Sequence, residues 1–414
     1  MPRYGSHGRW TMNSWTLSGA RVALGPQKAA ALDLEVREGR IASLTPRKPR
    51  RHCAASLDLD GCLILPGLIN AHDHLEFSIF PRLGHGPYRD SAAWAQDIYH
   101  PDRSPVRELL QVPLSTRLAW GAVSNLLSGV TTVCHHNRYY AAEFRGDFPV
   151  RVPRAYGWAH SLEFSPDLVS RFKRTPVSRP FILHVGEAVD GRGKEEIYRL
   201  DAMGVLASRT VLVHGVALGQ QEVRLVQERA ASLVWCPSSN AFILGQTLKA
   251  GVLKNDIRIA LGTDSALSRQ GCLLDELRLA RRTLRVPISR LYRMVTHEAA
   301  EVMRLRLGEG DLSHGAVADI LAVRDRGRSP ATTLLGLRPD DIALVMVGGK
   351  VKLCSAALID QLPGGVRRSM HGTMAYERMP QRVFVAADLP RLRREVEGAW
   401  HCLSPTMKAI LGAS

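Results

Sequence analysis

His72 and His74 stand one residue apart at the end of the apolar run Leu63-Ile-Leu-Pro-Gly-Leu-Ile-Asn-Ala-His-Asp-His-Leu75. Residues two apart in an extended chain project to the same side, so both imidazoles can approach one ion. A bare His-x-His is equally two loop histidines that hold nothing, and the pattern needs company. Company comes from three further stretches. Phe181-Ile-Leu-His-Val-Gly-Glu187 is an apolar strand ending in His184 with a carboxylate three residues on, Val211-Leu-Val-His-Gly215 ends in His214, and Ile259-Ala-Leu-Gly-Thr-Asp-Ser265 ends in Asp264. Strands that each present one polar residue at their exit are hard to explain by packing. Five candidate ligands or acid–bases at four strand ends predict a catalytic site at the C-terminal face of a parallel barrel.

Such residues need a frame. Short apolar strands are expected over 63–70, 130–134, 150–156, 181–184, 210–214, 232–236 and 257–262. They alternate with helical patterns over 114–127, 194–203, 220–228, 273–284 and 296–305, as βα units around a parallel sheet do. Seven strands in this span approach a (β/α)8 TIM-like barrel, whose typical size is about 250 residues. The interval 136–180 is short for the two βα units it should hold, so one is trimmed or irregular. The connection from Glu76 to Pro113, rich in Pro, Gly, Tyr and Trp, reads as an active-site lid.

β signals flank this barrel on both sides, at 20–24, 32–36, 40–44 and 57–61 before it and at 319–323, 342–347 and 350–353 after it. About four short strands bury little alone. Residues 15–62 and 308–355 are therefore expected to form one composite β-sandwich domain beside a barrel over 63–307. The extension 356–414 carries a basic amphipathic helix over 388–400 that covers the barrel, and residues 1–14 read as a disordered leader.

Composition excludes several classes. The 414 residues are 45% apolar and 23% charged, ordinary for a globular protein. No apolar run reaches the roughly 18 to 20 residues of a membrane span, and the N-terminus has no apolar core of a secretory signal. Seven scattered cysteines without a CxxC pair fit reduced thiols in the cytoplasm. The net charge is +16, and only nine of the 55 basic residues are lysine. The densest clusters are Arg47-Lys-Pro-Arg-Arg-His52, Arg281-Arg282 and Arg391-Leu-Arg-Arg394. No module gathers this charge beside a reading motif, so it is read as solvated surface and neither nucleic acid nor membrane is an expected partner. The expected partner is a small-molecule substrate; assembly as a homodimer is compatible with this reading.

In this order, PGLINAHDH, GVTTV, HVGE, VLVHG, the CPSSN of Cys236–Asn240, GTDS and HGAVADILAV resemble the amidohydrolase superfamily. Within it the pattern is similar to the group of triazine hydrolases, cytosine and guanine deaminases and related nucleoside deaminases. The resemblance runs from Thr16 to about Leu353. It implies that His72, His74, His184 and Asp264 ligate one divalent ion per chain, zinc by the ligand set, with iron or manganese as alternatives. It also implies that Glu187 shuttles a proton and that Glu187, His214 and Asp264 are the catalytic residues, His214 bonding the attacking water or the substrate. Zinc can lower the pKa of a bound water to about 7.

Two departures matter. Binuclear relatives use a carbamylated lysine, and between His136 and His184 the only lysine is Lys173, in a polar, turn-like setting. The trimmed 136–180 region also removes elements that shape the pocket in relatives. The expected reaction is release of ammonia or an amine from an N-heterocycle; hydrolysis of a cyclic or acyl amide is the alternative, and a silent scaffold of the same fold the remote one. Substrate contacts are expected from His136, Asn240, Ser265, Tyr88 and Trp94, although the aromatic residues equally serve to pack the lid. His160, His297, His314, His371 and His401 are assigned structural or exposed places.

Overall fold

The computed structural model describes residues 14–46, 56–373 and 383–402. The leader up to residue 13, the basic cluster at 47–52 and Cys53 lie outside them.

The organising run is two strands. Strands β1 (Trp15–Ser18), β2 (Arg21–Ala23), β3 (Ala29–Arg37), β4 (Arg40–Pro46) and β5 (Ser56–Asp58) precede β6 (Cys62–Pro66), which is followed at once by β7 (Leu68–Asp73). Pro66 has no amide hydrogen to extend the ladder. At Gly67 the chain crosses from one sheet to another, and a Cβ there would lie 2.3 Å from the Thr131 side chain. Only glycine passes. The sequence expectation of one strand over 63–70 is corrected accordingly: β6 belongs to the flanking sheet and β7 opens the barrel.

The flanking sheet draws on both ends of the chain. Strand β14 (Ile320–Arg324) pairs antiparallel with β6, Ile320 opposite Pro66 and Arg324 opposite Cys62, while β2 pairs parallel with the other edge of β6. Beyond β14 come β15 (Ile342–Val347), β16 (Lys350–Ser355), and the short β17 (His371–Gly372) and β18 (Val383–Val385). The result is one eleven-stranded sheet. Trp15 Nε1 donates to Gly349 O at 2.8 Å and Arg21 meets Asp325 at 3.0 Å, joining the two ends further.

The barrel begins with β7 and β8 (Val130–His135), which are parallel. Its other wall runs through β9 (Gly157–Trp158), β10 (Phe181–Val185), β11 (Thr210–His214), β12 (Ser232–Trp235) and β13 (Ile259–Leu261), all parallel and in the order of the chain. Between the walls lies one irregular stretch. Arg151 exchanges backbone hydrogen bonds with Thr131 and Val133 of β8, and from Gly157 to His160 the chain bonds to β10. The two βα units expected in 136–180 are thus one strand position and one helix, Leu168–Arg174. The ring closes where the Thr263 and Asp264 amides donate to the His72 carbonyl. Gly262 permits the approach, since a Cβ there would stand 2.7 Å from His72 Cβ. The fold is an α/β barrel of the TIM type with an additional β domain.

Inward-pointing residues two apart on their strands, such as Ile69 and Ala71 or Val211 and Val213, form a buried apolar layer with Ile182, Val234 and Ala260. All five helices expected between 114 and 305 form. The helix Leu389–His401 begins with Asp388 accepting from the Arg391 amide, and buries Leu392 and Val396. Among the described residues no helix is long and apolar enough to cross a membrane.

Candidate active site

Each polar residue named from a strand exit arrives at one place. One nitrogen or oxygen from each of His72, His184, His214 and Asp264 falls within 4.8 Å of the others. His72 Nε2 and His184 Nε2 are 3.1 Å apart, and Asp264 Oδ1 lies 3.6 Å from His72 Nε2 and 3.4 Å from His74 Nε2. Ligands at about 2.0–2.2 Å from a common divalent ion are separated by about 3.0–3.5 Å, so these spacings match the edges of a coordination shell. His214 belongs to this mutually close group and His74 does not, although His74 Nε2 lies 3.4 Å from Asp264 Oδ1.

The electrostatics suit an ion. Burial pushes the imidazoles of His72, His74 and His184 below their ordinary range, so they are neutral donors. Burial alone would raise the Asp264 carboxyl, but the nearby imidazoles of His72, His214 and His74 outweigh it and hold the carboxyl well below the usual range. Three neutral imidazoles and a carboxylate, nearly dry and converging, fit a divalent metal.

Neighbouring side chains fix this geometry. Ser239 Oγ at 2.5 Å and Ser268 Oγ at 3.0 Å donate to Asp264 Oδ2, leaving Oδ1 turned to the imidazoles. Asn240 accepts from His214 Nδ1 at 2.7 Å, which leaves His214 Nε2 facing the site, 3.6 Å from Glu187 Oε1. Ser239 and Asn240 both lie in the helix Pro237–Leu244, whose first turn is held by Glu276 accepting from the Ser238 amide at 2.9 Å. His214 (φ 77°) and Asp264 (φ 60°) occupy the left-handed region. For non-glycine residues that costs of order 1 kcal/mol, a strain typical of functional sites. Burial pushes the Glu187 carboxyl up to about 7, although His214 pulls it down.

A cavity of about 100 Å³ opens beside Glu187, His184, His214 and Asp264. Of the expected substrate contacts, Trp94 and Ser265 line it. The other three stand elsewhere. Asn240 is fully buried behind His214, and His136 is buried with its ring 4.4 Å from that of His184. Tyr88 is turned away, its hydroxyl bonded to Asp97 and to the His85 amide. Sequence reasoning missed Phe77, Ser91 and Phe164, and it placed His160 outside the site, whereas His160 lines the mouth with its ring 4.8 Å from His184. The residue pair His160 and Phe164 follows the irregular strand, where no strand-exit pattern marks it.

A His/Asp cluster that fits a divalent ion at the C-terminal mouth of a parallel barrel, with a carboxylate beside it, suits metal-dependent hydrolysis. The Amidohydrolase family profile matches residues 181–352. A 5-methylthioadenosine/S-adenosylhomocysteine deaminase of Syntrophobacter fumaroxidans is 25% identical over 368 residues, covering 74% of this chain and 78% of its own. The adenosine deaminase of Xanthomonas campestris with bound zinc has a TM-score of 0.71 at 17% identity, over 94% of this chain and 98% of its own. Atrazine chlorohydrolase from Arthrobacter aurescens TC1, complexed with zinc, has a TM-score of 0.65 at 18% identity over 93% and 99%. These similarities support a hydrolase acting on carbon–nitrogen bonds, with the Amidohydrolase match itself confined to residues 181–352.

Proposed function

We propose that this protein is an aminohydrolase that uses one zinc ion per chain to release ammonia or an amine from an amino-substituted N-heterocycle, with a 6-aminopurine derivative as the first candidate. The observation that carries the reading is the convergence of His72, His74, His184, His214 and Asp264 with Glu187 at the rim of one cavity. The purine choice is supported by the relatives named as adenosine-type deaminases.

His72, His74, His184 and Asp264 would hold the ion, which when bound supplies an electrophilic centre that acidifies water. Glu187 accepts the proton of the attacking water and returns it to the leaving nitrogen. His214, oriented by Asn240, directs Nε2 at the water or the substrate, and Asp264 orients the water through its ligand oxygen. Phe77 and Trp94 wall a flat ring, and Ser265 offers it a hydroxyl. Pockets for drug-sized ligands run about 300–1,000 Å³. A cavity of about 100 Å³ therefore takes a nucleoside only once the Glu76–Pro113 segment moves aside.

The test is ammonia release by zinc-loaded protein across purines, purine nucleosides and their thioethers, pyrimidines, pterins and triazines, with cyclic and acyl amides as the competing arm. Turnover confined to the amides would overturn the deaminase reading. Metal analysis should find one ion per chain; two tightly held ions would contradict the single-ion proposal.

We also assign residues 15–62 with 308–355 to one composite β-sandwich domain, which β6 carries on to Pro66, supported by the β6–β14 pairing and the Arg40–Val317 bridge. A chain ended near Leu307 should be insoluble, because the N-terminal strands lose their neighbours; a soluble, active fragment would refute the assignment. Among the described residues all six cysteines are free, which supports placing the protein in the cytoplasm.

A further inference from the structure

Arginine is scattered along this chain, yet five arginines line one cavity of about 370 Å³. It opens where β10 begins, at Arg179 and Pro180, and thus opposite the end where His184 and Glu187 leave the strand. The irregular strand explains its existence. No helix is formed between β8 and Gly157, so the groove beside residues 151–156 stays uncovered. Cys134, Ile182 and Met303 make an apolar floor, and Arg151, Arg154, Arg179, Arg304 and Arg306 surround it.

Charge in this cavity is not balanced. Arg151 is committed to Asp319, at 3.1 Å through two nitrogens, with Glu309 3.9 Å away. Glu309 is the only carboxylate in the lining. The other four arginines form no ion pair with any described residue. Two of them are nonetheless held in place by neutral acceptors. Arg304 donates to Val177 O at 2.9 Å and to Ser208 O at 2.5 Å, and Arg306 donates to Ser178 O at 3.0 Å. Carbonyls fix a guanidinium without cancelling its charge. Like charges crowded at an apolar floor repel one another unless an anion joins them.

We propose that this cavity binds a small organic phosphate: a dianionic head for the arginine rim, and an apolar or aromatic body for the Cys134–Ile182–Met303 floor. Phosphate is favoured over a single carboxylate because four unpaired guanidinium groups exceed what one negative charge neutralises, and the planar fork of arginine suits phosphate oxygens. The site shares no lining residue with the catalytic cavity. Ile182 and His184 nevertheless lie on the same side of β10, two residues apart, so an occupant would rest against the layer beneath the ion site.

Binding of 1-naphthyl phosphate to the full-length, metal-loaded protein tests this, with 1-naphthol as the uncharged control and ionic strength held constant. Arg154 and Arg179 make no side-chain hydrogen bond to a described residue, so R154Q/R179Q should fold normally. Saturable binding of the phosphate, absence of binding by 1-naphthol, and an affinity at least about tenfold weaker in the double variant are expected. Binding should be unchanged in H184A, which separates this cavity from the ion site. Absence of saturation, equal affinity in wild type and R154Q/R179Q, or loss of binding in H184A would each overturn the proposal.

Discussion

Between β10 and β13 the barrel wall is regular, each strand paired in parallel register with the next. Between β8 and β10 it is not: one stretch serves both neighbours in turn, and no helix covers its first half. The regular half delivers His184, His214 and Asp264, and partners hold two of the three in place: Asn240 on His214, Ser239 and Ser268 on Asp264. The irregular half delivers His135 and His136, whose buried ring nitrogens meet no hydrogen-bond partner among the described residues. It also supplies His160 and Phe164 at the cavity mouth and three of the five arginines of the second cavity, Arg151, Arg154 and Arg179. Precision in the ligand set comes from strands in register. Variation in what surrounds them comes from the part of the ring that carries no register to preserve.

The sharpest way to break this contrast is at Glu187, on the regular side. Glu187→Gln should retain metal and fold yet lower turnover by about 10²- to 10⁴-fold, the usual range for a general acid–base. His184→Ala should instead reduce the metal content. Near-normal turnover in a metal-replete Gln variant would show Glu187 to be an ordinary buried carboxylate.

Ser239→Ala comes next in size. Removing a donor that orients a ligand typically costs about 10- to 100-fold in metal affinity, measurable by competition with a chelator while the fold persists. Unaltered affinity would mean that Asp264 holds its orientation without the Ser239 hydroxyl.

On the irregular side the effects should be smaller and of another kind. His160→Ala is expected to change KM by up to about tenfold with kcat nearly preserved, as removal of uniform binding does. A collapse of kcat would erase the distinction between the two halves.

The last effect concerns stability. Burial raises the Glu276 carboxyl from 4.5 to about 8, even though Ser238 donates to it through amide and hydroxyl. A carboxyl raised in the folded state contributes its stability fully below pH 4.5, and that contribution is lost as pH rises through about 8. The Tm of the wild type should therefore fall relative to that of Glu276→Gln across this window. Parallel Tm profiles for the two proteins would show that the proton is not retained.

What the amino-acid order alone determined here was local. Apolar runs with one polar exit residue marked β7, β10, β11 and β13, and those exits are the residues that meet in the site. Alternation and strand-end position are properties of a few consecutive residues, so they can be read without a fold. Tertiary structure decided everything that depends on distant segments meeting. It split the organising run at Gly67, because Thr131 leaves no room for a side chain. It moved Asn240 from the substrate wall to a place behind His214, brought His160 and Phe164 to the cavity mouth, and gathered arginines from residues 151 to 306 around one groove. None of these has a local signature, because each results from packing between elements tens to hundreds of residues apart. Which of the many exposed-looking side chains face one another is decided only when the ring closes.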